Sequence, residues 1–81
     1  MRARVFVTLK QSVFDPQGKT VTDALHTLGY PAVRDVRQGK YFEIALSDSA
    51  DGEEARESVG RMAREVLSNP IIEDYRVEIE G

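Results

Sequence analysis

Phe42, Ile44 and Leu46 alternate with Tyr41, Glu43 and Ala45. A period of two sends the first set to one side of an extended strand and the second set to the other. This strand therefore has an apolar face that the rest of the chain must cover. Gln38-Gly39 separates it from a shorter run, Val33 to Arg37. Glycine accepts positive φ, so the dipeptide predicts a tight turn and a hairpin. Val33 and Val36 have opposite parity, which places the first arm at a bulge or a sheet edge.

The flanking segments supply the cover. Val5, Val7 and Leu9 alternate with Arg4, Phe6 and Thr8 in a first strand, residues 4–10. Asp15-Pro16 opens a helix: Asp15 accepts from a free backbone N–H, and Pro16 suits the first helical position. Val21, Ala24, Leu25 and Leu28 form its apolar stripe, and Gly29 with Pro31 closes it, giving a helix over 16–28. After a loop at 47–52, Asp51 and Glu54 resemble a capping box. Ala55, Val59, Met62, Ala63, Val66 and Leu67 are the stripe of a second helix over 52–67, ended by Asn69-Pro70. Early glutamates and later arginines suit its dipole. Tyr75, Val77 and Ile79 alternate in a last strand, 75–80. Strands are thus expected at 4–10, 33–37, 41–46 and 75–80. The order is βαββαβ, a single α+β domain over 1–81 of ferredoxin-like type. Two helices on one face of a four-stranded antiparallel sheet are expected, with the first and third strands central.

At 81 residues the core is small. There is no cysteine, hence no disulfide framework and no thiol nucleophile. No apolar run approaches the ~20 residues of a membrane span, and Val5 to Leu9 is too short for a signal-peptide core. A soluble cytoplasmic protein is expected. A net charge of −3 argues against nucleic acid as a partner, and one histidine without thiols argues against a metal site.

The motifs that suggest chemistry fall short of it. Gly18-Lys19-Thr20 hints at a phosphate loop, but the glycine required five positions earlier is Val13. Gly18 instead suits close approach of the helix start to a neighbouring surface. His26 lies off the apolar stripe with no oriented carboxylate or nucleophile, so it is not expected to be catalytic. Arg34, Arg37 and Lys40 either meet an acidic or phosphate partner or guard a sheet edge; both readings stand. The open sheet face would carry Phe6 and Tyr41 beside Glu43, Glu78 and Glu80. It lacks the aromatic signature of an RNA-recognition sheet. With Thr8 and Ala45, that face is half apolar and suits cover by a second copy of the chain. Gly60 inside the second helix costs about 1 kcal/mol against alanine, which a close partner contact would explain, as would simple tolerance of the glycine.

Taken together, these segments resemble the PurS subunit family of phosphoribosylformylglycinamidine synthase. The resemblance rests on Val7-Thr8-Leu9-Lys10, then Asp15-Pro16-Gln17-Gly18-Lys19, Leu28-Gly29-Tyr30, Val36-Arg37 with Gly39-Lys40, and Asn69-Pro70-Ile71-Ile72-Glu73-Asp74-Tyr75. It implies a cytoplasmic subunit of an ATP-dependent carbon–nitrogen ligase in de novo purine synthesis, with glutamine as amide donor. It implies as partners a glutaminase subunit and a large synthetase subunit, with ATP and magnesium used by the latter. The small subunit would carry no catalytic residue, bind no cofactor, form a homodimer or tetramer, and bridge the other two for ammonia transfer. A reading of another class also stands: a regulatory domain that binds a small metabolite at a dimer interface.

Loop and element-start segments carry binding more often than strand interiors do. Three such segments are the docking candidates. They are Asp15, Pro16, Gly18 and Lys19; Arg37, Gly39 and Lys40; and Asn69 with Pro70. Capping and turn geometry explain most of these residue types, but not Lys19 and Lys40.

Overall fold

The computed structural model describes residues 1–47 and 51–80. In chain order these form β1 (Arg2–Leu9), α1 (Pro16–Thr27), β2 (Gly39–Ala45), α2 (Gly52–Met62) and β3 (Glu73–Glu80). The loop expected at 47–52 lies partly outside the described residues.

β1 is the centre of a three-stranded sheet of order β2-β1-β3, antiparallel on both sides. Val5 faces Phe42 on one side and Val77 on the other. This register puts Ala3, Val5 and Val7 on one face with Phe42, Ile44, Val77 and Ile79. α2 lays Ala55, Val59 and Ala63 against that face, and all six alanines and valines of β1 and α2 named here are buried. The core is thus made of short side chains, which lets helix and sheet approach closely.

The opposite face is the expected open one. Phe6 and Tyr41 meet with ring centroids 5.1 Å apart, and the Arg76 guanidinium lies 4.5 Å from the Phe6 centroid. Arg4 pairs with Glu80, Arg76 with Glu78 at 3.4 Å, and the Tyr41 hydroxyl donates to Glu43 at 2.9 Å. Partial burial, then the Glu43 carboxylate, hold the Tyr41 phenol above its ordinary range.

Asp51 caps α2 by accepting from the Glu53 N–H. α2 then widens into one π turn, Ala63–Leu67. The Ser68 N–H and its hydroxyl both donate to the Ala63 carbonyl, at 2.9 and 2.7 Å. The wider turn keeps Ala63 and Leu67 against the core and turns Val66 out, where it is 78% exposed. A continuous α-helical stripe had placed Val66 inward.

Three expectations are corrected. Residues 33–37 form no strand. The two ends of the segment are tied elsewhere: the Val33 carbonyl accepts from His26 Nε2 at 2.6 Å, the Val33 N–H donates to the Tyr30 carbonyl, and the N–H of Gln38, just past the segment, donates to Asp15. The opposite parity of Val33 and Val36 also leaves no single face to bury. Consequently there is no hairpin at Gln38-Gly39; Gly39 is the first residue of β2, opposite Thr8, and its φ is not positive. Second, β2 is an edge strand rather than a central one, because among the described residues no strand lies on its far side. Third, among the described residues only α2 and its closing π turn cover the sheet. α1 contributes no residue to the core, and Val21 and Leu28 on its apolar stripe are 38% and 72% exposed. α1 projects outward, so the molecule extends 50 × 25 × 14 Å.

These observations fix two stability outcomes. A β-carbon at Gly60 would meet nothing within 4 Å. Gly60→Ala therefore stabilises the isolated chain by about 0.5–1 kcal/mol, raising the melting temperature by about 4–8 °C at most. Val59→Ala removes buried methyls from the α2–sheet contact and costs about 2–3 kcal/mol. Denaturant unfolding measures both; a destabilised Gly60→Ala chain would contradict the open space seen there.

Candidate functional site

Asp15 joins two of the three docking segments. Its Oδ1 accepts from the Gly18 N–H at 2.9 Å, capping α1, and its Oδ2 accepts from the Gln38 N–H at 2.8 Å. The carboxylate is therefore buried but doubly satisfied. These bonds, Gly18 first and Gln38 second, hold its pKa below the ordinary carboxylate range; burial opposes them and the Arg37 charge adds to them. The same crossing explains Gly18, since a β-carbon there would lie 2.1 Å from the Val36 carbonyl oxygen. The expected close approach is thus made to the segment preceding β2. Gly39 is excluded from bearing a side chain by similar means, with the Val7 carbonyl oxygen 2.4 Å from its β-carbon position.

Arg37 is neither an edge guard nor a free cation. Its guanidinium donates to the carbonyls of Lys10 and Val13, both at 2.9 Å, and so fastens the β1–α1 connection to the approach of β2. Lys40 pairs with Glu73 at 3.6 Å. Glu73 in turn accepts from the Asn69 N–H at 2.7 Å, which ties in the third segment. The Asn69 side chain accepts from the Ile71 N–H and shapes the turn before β3, with Pro70 exposed on it.

The three segments therefore meet. Asp15, Gln17, Gln38, Gly39, Lys40 and Glu73 surround a cavity of about 220 Å³ at one end of β1. Gln38 donates to Gln17 across it at 2.9 Å. Pro16 and Pro70 are exposed nearby in sequence. Lys19 stands apart, exposed and paired with Asp23 one turn on at 3.2 Å. Glu73, Gln17 and Gln38 are not among the docking candidates, although Gln17 and Gln38 lie inside two of the candidate segments. Glu73 was legible as the inward parity of the last strand, two residues before Tyr75, whereas Gln17 carried no signal. The arrangement offers hydrogen-bond donors and acceptors to a docking surface. Among the described residues His26 serves backbone anchoring, with no carboxylate to orient it.

A family model described as PurS, phosphoribosylformylglycinamidine (FGAM) synthase, matches residues 2–81. The chain belongs to the PurS family. The PurS subunit of Bacillus subtilis (strain 168) is 44% identical over 79 residues, 98% of this chain and 92% of the relative. A crystal structure of Methanocaldococcus jannaschii PurS superposes with a TM-score of 0.86 at 34% identity, covering 98% of this chain and 94% of that one. A chain from a PurLQS structure of Thermotoga maritima gives 0.85 at 28% identity, covering 95% and 93%. As a PurS chain this protein is a subunit of FGAM synthase, in purine biosynthesis. Among the described residues, no helix is long and apolar enough to cross a membrane.

The Asp15 geometry has a pH signature. Its folded pKa is depressed, so its contribution is fully present above the unfolded carboxylate value, about 3.9, and is lost as pH falls through the folded pKa. Asp15→Asn should therefore melt below wild type at pH 7, with the gap narrowing below about pH 4. Melting curves across that range test it; a gap independent of pH would show that the charge of Asp15 is not what matters.

Proposed function

We propose that the chain is a non-catalytic bridging subunit, acting as a homodimer or dimer of dimers between a glutaminase subunit and a synthetase subunit. In this reading glutamine hydrolysis belongs to the first partner. ATP and magnesium belong to the second. The small subunit holds the two so that ammonia passes between their sites.

The observation that carries this is α1. A helix with an exposed apolar stripe projects from a domain whose sheet is covered by one helix only. Phe42, Ile44 and Leu46, on the β2 side of the inner face, are only partly buried. One chain thus carries both an apolar helix stripe without a sheet and part of a sheet without a helix. Two copies that exchange these surfaces would satisfy both. The open face, first in view for dimer contact, already spends its charges and rings within the sheet. The stand-alone metabolite reading has no comparable observation behind it.

Light scattering should give a dimer or larger species at micromolar concentration for wild type and a monomer for Val21→Glu with Leu28→Glu. A wild-type monomer across ordinary salt would remove the oligomer.

The docking reading has its own test. Lys40→Glu should weaken assembly with the two larger subunits, more so at low salt, because exposed charges are screened over about 8–10 Å near physiological ionic strength. Lys19→Glu, remote from the cavity, should weaken it less. The pair Lys40→Glu with Glu73→Lys restores the internal ion pair but reverses its direction. If that swap assembles as well as wild type, Lys40 serves only the fold.

A further inference from the structure

Of the arginines among the described residues, five are committed. Arg2 and Glu43 are 4.0 Å apart, Arg4 pairs with Glu80 and Arg76 with Glu78, while Arg37 and Arg56 donate to backbone carbonyls. Arg61 and Arg64 have no hydrogen bond or ion pair. They stand one turn apart, at the end of α2 and in the π turn. With Gly60, Glu57 and Tyr75 they line a cleft of about 340 Å³ between α2 and β3. The Tyr75 hydroxyl also lacks a partner.

We infer that this cleft binds the phosphate group of a small phosphorylated ligand. Two guanidinium forks and a phenol match the three terminal oxygens of a phosphate better than the two of a carboxylate. Gly60 gives a second, independent reason. It occupies a helix interior where alanine is favoured, and nothing fills the space above it. A cleft floor without a side chain accounts for that choice. Glu57 is the one acidic group of the lining, so the net local charge is +1 from two arginines and one glutamate. Binding is accordingly expected to be weak and short-ranged, against an overall charge of −3. The only other arginine without a partner among the described residues is Arg34. Its cleft sets Arg34, Lys19 and Arg37 against Asp15, Asp23 and Asp35, so its net charge is zero, and Lys19 and Arg37 already have partners.

The test titrates the full-length, isotopically labelled chain with inorganic phosphate at constant ionic strength, with chloride and acetate as controls. Saturable amide shifts are expected at Gly60, Arg61, Arg64 and Tyr75. Arg61→Ala with Arg64→Ala should lower the affinity at least about tenfold, since each charge-assisted bond is worth that much or more. Gly60→Ala should raise thermal stability yet weaken phosphate binding, two effects that a purely structural glycine would not separate. Equal response to acetate, shifts centred on Lys19 and Arg34, or affinity unchanged in the double-arginine variant would each overturn the proposal. The outcome is independent of whether the chain dimerises or bridges larger subunits.

Discussion

Every strand in the described structure pairs with β1. It is hydrogen-bonded along both edges, its inward Ala3, Val5 and Val7 are fully buried, and β2 and β3 touch it rather than each other. Because Ala3, Val5 and Val7 are short, α2 settles closely with its own alanines and valine. A small domain has little apolar area to bury, so one central strand saturated on both edges and on one face is an economical way to bury it. Loosening Val5 or Val7 would release the sheet and α2 together.

What β1 does for the sheet, Asp15 does for the projecting part. One carboxylate caps α1 and also holds the segment returning to β2. Arg37 closes the same junction by taking the loop carbonyls of Lys10 and Val13. Tied at Val33 and at Gln38, residues 33–38 pair with no strand. The place beside β2 stays empty of a strand, and α1 keeps its stripe away from the sheet. An isolated monomer so built leaves apolar surface in water, which the proposed assembly would cover.

The three candidate segments, far apart in sequence, gather at one end of β1 through a short series of polar contacts: Gly18 to Asp15, Asp15 to Gln38, then Lys40 to Glu73 and Glu73 to Asn69. Most of these residues have structural duties within the chain. A surface held this rigidly presents a partner with fixed donors and acceptors and loses little entropy on docking. The second polar cleft, between α2 and β3, is of the opposite kind. Its arginines and tyrosine hydroxyl are uncommitted.

Periodicity and capping residues established three strands, two helices, their N-caps and the two faces of the sheet, including the placement of Phe6 and Tyr41 on the open face. These are local properties, set by side-chain alternation and by which residues can end a helix. The resemblance of whole segments established the family. Tertiary structure decided the rest. Val33 to Arg37 has strand-forming residues, yet His26 and Tyr30 claim the backbone of Val33 and Asp15 claims the N–H of Gln38 just beyond it, and the sequence does not show that competition. Val21, Leu25 and Leu28 form a good stripe, but a stripe only says that something apolar must cover it. Val66 fits an α-helical period and is turned out because Ser68 closes a π turn on Ala63. In each case the deciding bond joins residues that local pattern treats as independent, and only the folded chain brings them within reach.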